Sequence, residues 1–402
     1  MTTDIESGAR EHERSGFNLI HRKVSSGVPL FLLVPMAVYI GSCKSPNVTY
    51  SEPRNRSKVA ESGDRSAESR DAGPGNQTTD AGSQTFESTP LNGNYVIIPS
   101  GTFTKGSKLE DPESTGWTDP GEPRSKEEIP YRLAAKRTEV TQGEWKDLLG
   151  SNPSRFDNCG DDCPVESVNW YEALVYVNQL STDNDLRRCY RLKDCTGVVG
   201  AGCHEEQSKQ FTCYREVDCR NQCQGRFRCK SVEFRGPTCE GYRLPTDTEW
   251  EYLARADTTT HTYAGDYPSW KIFSNSQSCL LANIAVHSHN NRVSYSSGEP
   301  CGENFSKRCG TRQVGSLRPN DFGLYDMLGN VAEWTSTREY KEREILLGGA
   351  LGGFEARLVR GCSWRLSSVF CRSAERLLGH PRRRGFDRGF RPVRTIQDEN
   401  VP

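Results

Sequence analysis

The first long hydrophobic run of the chain covers residues 28–40 (VPLFLLVPMAVYI). Its thirteen residues are too few for a helix that crosses a bilayer, which needs about 20. Basic residues precede the run, and a Gly-Ser-Cys sequence ending at Cys43 follows it. A charged region, an apolar core and small residues in this order are typical of a signal peptide, so the pattern predicts export with residues 1–43 as the leader.

The last four residues of this leader, ending at Cys43, resemble the bacterial lipobox, in which the cysteine becomes the lipidated first residue of the mature chain. The resemblance implies that the membrane is a partner through a lipid anchor. It also implies an exported lipoprotein at the outer membrane or in the periplasm of a Gram-negative bacterium. A plain signal peptide with an incidental cysteine is the alternative.

Residues 44–93 are polar, and Tyr50 and Phe86 are the only aromatic residues among them. Such a segment buries too little apolar surface to offset the entropy of ordering, which predicts a disordered linker. At Asn94 the composition changes, and residues 95–99 are typical of a first strand. One domain is therefore predicted over residues 94–395.

Three helix starts are predicted by capping boxes, in which a Thr or Asn side chain and a Glu three residues later bind the free amides of a first turn. The pairs are Thr141 with Glu144, Asn169 with Glu172, and Thr246 with Glu249. Apolar residues lie on one face of the second and third helices, at Ala173, Leu174, Val177 and Leu180 and at Trp250, Leu253 and Ala254. Frequent Gly and Pro elsewhere predict short strands and packed loops in an α+β domain.

Sixteen cysteines in an exported chain predict a disulfide-rich domain, because thiols oxidise outside the cytosol. Half of them fall in the insert 189–239, whose low apolar content makes cross-links necessary: Cys189, Cys195, Cys203, Cys213, Cys219, Cys223, Cys229 and Cys239. Zinc at Cys219 and Cys223 is the rival explanation, although His204 is the only nitrogen ligand there. If Cys43 carries a lipid, an odd number remains and one thiol is free or intermolecular.

The formal net charge of −1 argues against a nucleic-acid partner. The basic run 382–384 either meets local carboxylates and solvent or binds an acidic surface polymer. Neither a glycine-rich phosphate loop nor a Ser/His/Asp set is present in the chain. Composition therefore favours none of the common nucleotide-binding or hydrolytic classes.

The loop sequence 320–334 (NDFGLYDMLGNVAEW) places Asp326 and Glu333 around a turn at Gly329. Calcium takes oxygen ligands from carboxylates and backbone carbonyls, and a glycine turn lets carbonyls point inward between two acids. The loop is therefore a candidate calcium site. An ordinary loop with two solvated acids and a buried Trp334 fits the same spacing.

Several sequence blocks, in order, resemble the formylglycine-generating enzyme (sulfatase-modifying factor) family over about residues 94–395. They are VIIPSGTF (96–103), TEVT (138–141), PVESVNW (164–170), YRLPTDTEWEY (242–252), GLYDMLGNVAEW (323–334) and RGCSW (360–364), followed by GFR (389–391). The family has a C-type-lectin-like α+β fold with little regular secondary structure. The resemblance implies that fold here.

The resemblance also implies two calcium sites. In the first, Asp326 and Glu333 would give side-chain oxygens, and Gly329 and Val331 would give backbone carbonyls. In the second, Asn283 would bind by its side chain and Ile284 by its carbonyl, and the remaining ligands are unassigned.

Catalytic members of the family convert a sulfatase cysteine to formylglycine with oxygen and a copper(I) ion held by two cysteines in a C-x4-C spacing. Thiolates suit this soft ion. The first copper cysteine aligns with Leu366, and Cys371 matches either the second or a structural cysteine that follows the pair. A disulfide between Cys362 and Cys371 is the expected state. Cys371 and Ser363 would be catalytic only if the enzymatic alternative holds.

Two further functions were weighed against the residues. The iron-dependent sulfoxide synthases of the superfamily use three histidines, whereas only His287 and His289 lie close together here. A variable lectin-like ligand-binding protein would have an Asn-rich stretch near its end, and residues 363–384 contain no Asn. We therefore expect a cell-envelope lipoprotein that is stabilised by calcium and disulfides and that binds or scaffolds an unidentified protein or glycan. The alternative is a copper-dependent formylglycine-generating oxidoreductase.

Overall fold

The computed structural model describes residues 90–91, 94–107, 124–200, 227–266, 280–301, 304–341 and 354–397. The predicted leader, the lipidation candidate Cys43 and the middle of the cysteine-rich insert lie outside these ranges. Pro90 and Leu91 form a strand inside the segment predicted as linker, where they pair with Val96 and Tyr95. Backbone pairing with a neighbouring strand does not depend on apolar side chains, so composition alone misses it.

The three predicted helix starts are confirmed. The helices are α1 Gln142–Leu149, α2 Trp170–Asp183 and α3 Asp247–Arg255. Thr141, Asn169 and Thr246 are their N-caps, and each accepts a hydrogen bond from the amide of the glutamate three residues later. Among the described residues no helix is long and apolar enough to cross a membrane.

The strands are short, apart from β11, and most pair antiparallel. Their bounds are β1 Pro90–Leu91, β2 Tyr95–Ile98, β3 Gly101–Lys105, β4 Ser125–Ile129, β5 Arg132–Lys136, β6 Tyr190–Thr196, β7 Arg228–Phe234, β8 Arg292–Val293, β9 Glu299–Cys301, β10 Asn304–Cys309, β11 Ala332–Lys341, β12 Phe354–Arg360, β13 Arg376–Gly379, β14 Arg388–Gly389 and β15 Val393–Ile396. They form the sheets β1-β2-β5-β15, β13-β12-β11-β14 and β8-β10-β9 and the hairpins β3–β4 and β6–β7.

Strand β11 has ten residues, so the expectation of uniformly short strands is wrong here. Its sequence contains no Gly or Pro, and it is paired on both sides. Glu333 lies opposite Arg360 of β12 on one side and Gly389 of the parallel strand β14 on the other. The strand begins directly after the glycine turn, which carries Glu333 into the centre of a sheet.

The core has two main parts that meet around buried tryptophans. In one, α3 packs on the sheet of β2 and β5, with the loop 322–328 and the Cys362–Cys371 pair. In the other, α1 and α2 pack against the start of β11. Trp145, Trp170, Trp250 and Trp334 are each at most 1% exposed. Each of these large rings buries much apolar surface, which helps to form a core in a domain with little regular secondary structure.

Disulfides cross-link several loops, which confirms the disulfide-rich part of the predicted fold. The described pairs are Cys159–Cys163, Cys189–Cys239, Cys195–Cys229 and Cys362–Cys371. Two of them close the β6–β7 hairpin of the insert 189–239. The zinc candidates Cys219, Cys223 and His204 lie outside the described residues.

Candidate functional site

The glycine turn of the loop 320–334 is held by contacts from distant parts of the chain. Gly329 has a φ of 94°, and a Cβ atom there would lie 2.5 Å from the carbonyl oxygen of Val286. A larger residue at this position would clash with backbone, so the turn requires glycine. Asn330 accepts a hydrogen bond from the Arg312 amide at 2.9 Å and donates one to the Arg312 carbonyl at 3.2 Å. These contacts fix the course of the chain between Asp326 and Glu333.

Glu333 is buried in an ion pair. Its Oε1 lies 2.7 Å from Nη2 of Arg391, and its Oε2 accepts a hydrogen bond from Trp250 Nε1 at 2.8 Å. Glu333 and Arg391 are 1% and 0% exposed, so the pair is shielded from water. Both carboxylate oxygens therefore already have donors inside the protein.

Asp326 and Glu139 form the acidic side of the same cluster. Asp326 Oδ2 accepts a hydrogen bond from the Gly315 amide at 2.6 Å, and the residue is 3% exposed. Glu139 is fully buried, with Oε1 accepting a hydrogen bond from the Val331 amide at 3.4 Å. Its Oε2 has no hydrogen-bond partner in the described part of the chain. The two acids of the loop, Asp326 and Glu333, are both buried. The alternative of an ordinary loop with two solvated acids is therefore wrong.

Burial is the main cause of the altered acidity of this cluster. It raises the pKa of Glu139 well above its ordinary value, and the charge of Asp326 raises it further, whereas Arg391 lowers it. Burial raises the pKa of Asp326 to about 6, against the lowering effects of the Gly315 hydrogen bond and of Arg391. The three buried carboxylates share the Arg391 guanidinium, and the Lys136 ammonium, which also pairs with Glu144, is the next cation beside Glu139. Burial of several acids together favours protonation or a bound cation.

Only some of the residues around the first calcium candidate are available to bind a cation. The orphaned Oε2 of Glu139 and the carboxylate of Asp326 suit a hard cation, with the carbonyls of Gly329 and Val331 as the remaining donors. Glu333 is already engaged by Arg391 and has less capacity to bind. Over the described ranges no group of three or more His, Cys, Asp or Glu side chains is arranged to hold a metal ion. Calcium at this place stays a prediction.

The second calcium candidate is less complete. Asn283 is exposed, and its carbonyl accepts a hydrogen bond from the Arg318 amide at 2.8 Å. The carbonyl of Ile284 accepts a hydrogen bond from the Tyr263 hydroxyl at 3.1 Å. The structure therefore brings Ile284 into contact with the Tyr263 hydroxyl, and the second site also stays a prediction.

Cys362 and Cys371 are joined by a disulfide, and both are fully buried. Leu366 is half-buried beside them in the same core, and its side chain offers no ligand atom. Ser363 is buried, with its Oγ 3.4 Å from the Arg365 amide that donates to it. Copper(I) requires two free thiolates, so the residues in the described structure do not fit the family's copper ion.

His287 and His289 lie together, with ring centroids 5.6 Å apart. Burial lowers the pKa of His287 to about 4, so this ring is neutral at physiological pH. Among the described residues, no third His, Cys, Asp or Glu side chain joins them in a group that could hold a metal ion. Their arrangement gives no support to an iron site.

Glu139 and Arg391 are the members of the buried cluster that sequence reasoning did not single out. Each lies in one of the recognised blocks, TEVT and GFR respectively. A charged residue inside a block of otherwise buried positions was the available signal. The role of each residue depends on a partner that is distant in sequence, 58 residues away for Arg391 and 192 residues away for Glu139.

The family model of the sulfatase-modifying factor enzyme 1-like domain matches residues 82–396. The chain belongs to this family. Membership confirms both the recognised resemblance and the predicted fold class. The matched range includes the buried carboxylates and the Cys362–Cys371 pair.

Individual relatives of the family domain differ in their named roles. The chain is 32% identical over 205 residues to the chaperone protein LppX of Paenibacillus barcinonensis, covering 49% of this chain and 59% of LppX. It is 40% identical over 105 residues to the formylglycine-generating enzyme of Mycobacterium tuberculosis, covering 26% of this chain and 30% of that enzyme. The chain thus spans less than two thirds of these relatives. Among solved structures, Treponema denticola variable protein 1 has 24% identity and a TM-score of 0.48, covering 75% of this chain and 95% of that chain.

We predict that Arg391→Met destabilises the domain by roughly 3–5 kcal/mol, because it leaves Glu333 buried without its cation. The measurement is chemical unfolding followed by tryptophan fluorescence. Arg394→Met is the matched control, since Arg394 is half-exposed on β15 and lies over the Tyr242 ring rather than in an ion pair. Equal losses in the two variants would contradict a special role for the Glu333–Arg391 pair.

Proposed function

We propose that this chain is a cell-envelope lipoprotein whose family domain binds or scaffolds a partner and does not generate formylglycine. The observation that carries the proposal is the state of the two positions that would hold copper. Leu366 stands at the first, and the sulfur of Cys371, the candidate for the second, is bonded to Cys362.

The chemistry of copper(I) makes this state decisive for the proposal. A disulfide sulfur is not a thiolate, and a leucine side chain has no donor atom. Reduction would free Cys362 and Cys371, but their C-x8-C spacing differs from the C-x4-C spacing of the enzymes. An exported domain also works where the oxidised state of a buried cysteine pair is favoured.

A binding role agrees with the similarity to LppX, which is named as a chaperone protein and with which this chain shares 32% identity over 205 residues. We infer a partner at the cell envelope, either a protein or a glycan, and the membrane itself through a lipid at Cys43. We place the protein at the outer membrane or in the periplasm of a Gram-negative bacterium. The domain surface rather than a reactive centre would then carry the function.

The enzymatic alternative has one specific observation in its favour. The segment shared with the formylglycine-generating enzyme of M. tuberculosis is 40% identical over 105 residues. Under this alternative Cys371 would act as the remaining copper ligand and Ser363 would lie in the catalytic groove.

We expect no formylglycine when the purified protein receives copper, oxygen and a reduced sulfatase peptide, because one ligand is missing and the other is in a disulfide. Mass spectrometry of the peptide detects the product. An active family enzyme in the same buffer controls for the assay. Turnover that disappears in Cys371→Ser would restore the enzymatic function.

Calcium would stabilise the domain by offsetting the charge of the buried acids, so we expect chelation to lower the melting temperature. Asp326→Ala should reduce this response, whereas Asp321→Ala, at an exposed acid of the same loop, should leave it unchanged. Metal analysis of the purified protein accompanies the melting curves. Unchanged melting after chelation, with no calcium in the purified protein, would refute the site.

The lipid anchor predicts that Cys43→Ser moves the protein from the membrane fraction to the soluble fraction after export. A myristoyl-sized chain binds membranes only marginally, so loss of a multiply acylated cysteine should have a large effect. Mass spectrometry of the wild-type N-terminal peptide supplies the second readout. If the variant stays with membranes and the wild type carries no acyl mass, the anchor is ruled out.

A further inference from the structure

A cleft of about 420 Å³ lies between α2 and the β6–β7 hairpin. Three arginines line it: Arg188, Arg191 and Arg235. Helix α2 contributes Asn178 and Gln179 to the opposite wall. The cleft thus joins a cationic edge, built by the insert 189–239, to an amide-bearing helix face.

The arginines of this cleft carry more positive charge than their surroundings neutralise. Within the described segments, no ion pair includes Arg188 or Arg235. Arg191 reaches Glu233 at 4.0 Å, the outer limit for an ion pair, and Glu233 is also bound by Lys193. This one exposed carboxylate therefore serves Lys193 and Arg191, and it also interacts at longer range with Arg235, so the guanidinium groups keep donors available for a ligand.

The hairpin fixes the backbone that carries these arginines, and one of the side chains, before any ligand binds. The Cys189–Cys239 disulfide closes its base, next to Arg188. Arg188 donates from Nε to the Thr182 hydroxyl at 2.8 Å, and the Arg235 amide donates to the Cys189 carbonyl at 3.0 Å. Pre-positioned side chains lose less conformational entropy on binding.

The hairpin is also docked firmly on α2. Asn178 donates from Nδ2 to the Tyr190 carbonyl at 2.8 Å and accepts from the Tyr190 amide at 3.2 Å. The Tyr190 ring stacks on Phe234 with centroids 4.9 Å apart. The two walls of the cleft therefore form one packed unit.

We propose that this cleft binds a doubly charged oxyanion, either a phosphate or a sulfate group of a small ligand. The planar fork of each guanidinium matches two oxygens of such a group, and charge-assisted hydrogen bonds are the stronger kind. Three guanidiniums suit two negative charges better than one. The cleft uses neither the Glu139 cluster nor the Cys362–Cys371 pair, so the proposal stands apart from the question of catalysis.

The test is calorimetric titration of inorganic phosphate, inorganic sulfate and acetate into the purified protein at constant ionic strength. We expect saturable binding of phosphate, sulfate or both at one site, and weaker binding of acetate. The divalent anion that binds more tightly indicates whether the small ligand carries a phosphate or a sulfate group. Arg191→Ala and Arg235→Ala should each weaken binding about tenfold, the loss of one hydrogen bond to a charged group.

Arg228→Ala is the matched control, because Arg228 is exposed on the same hairpin, opposite Thr196, and does not line the cleft. The affinity of the Arg228→Ala variant for the divalent anion should stay within about twofold of the wild-type affinity, as expected when the removed charge lies outside the site. Melting curves verify that the three variants are folded. The proposal is overturned if neither divalent anion saturates the wild type, if acetate binds as tightly, or if Arg228→Ala weakens binding as much as the cleft variants.

Discussion

The ion pair between Glu333 and Arg391 is the contact on which the centre of the domain depends. Besides Glu333, the Arg391 guanidinium donates to the carbonyls of Lys136 and Tyr325 at 2.8 and 2.7 Å. One side chain thereby ties β5, the loop before the glycine turn and the start of β11 together. Desolvated charges are costly, so such a pair is tolerated only where every donor and acceptor is satisfied.

The same cluster shows how charge is distributed in a core with little regular structure. Glu333 is neutralised by Arg391. Near Glu139 and Asp326 the next cation is Lys136, whose Nζ donates to the Glu139 carbonyl at 3.1 Å and pairs with the Glu144 carboxylate. Other buried acids have different partners: Glu172 pairs with Arg384 at the start of α2, whereas Glu166 accepts hydrogen bonds from the Phe156 amide and the Ser167 hydroxyl. Arg384 belongs to the basic run near the C-terminus, whose other members, Arg382 and Arg383, are exposed.

The described disulfides have different structural consequences in two parts of the domain. Cys362 has a φ of 65°, a conformation that normally favours glycine, and its sulfur is bonded to Cys371. The disulfide thus braces residues 362–371 as part of the core. In the insert 189–239, disulfides have a different consequence, since they shape a hairpin whose arginines face a cleft.

Much of the local structure was determined by the sequence itself, because capping boxes act within four residues and need no distant partner. Ordered family blocks indicated the fold, and the alignment of Leu366 with the first copper cysteine predicted the loss of that ligand, since both depend only on order along the chain. The tertiary structure alone decided that Glu139 joins Asp326 and that Arg391 neutralises Glu333. It also decided that Arg191 and Arg235 share a cleft with Asn178. These neighbours come from distant parts of the sequence, and their proximity results from packing of the core, which spacing along the chain does not encode.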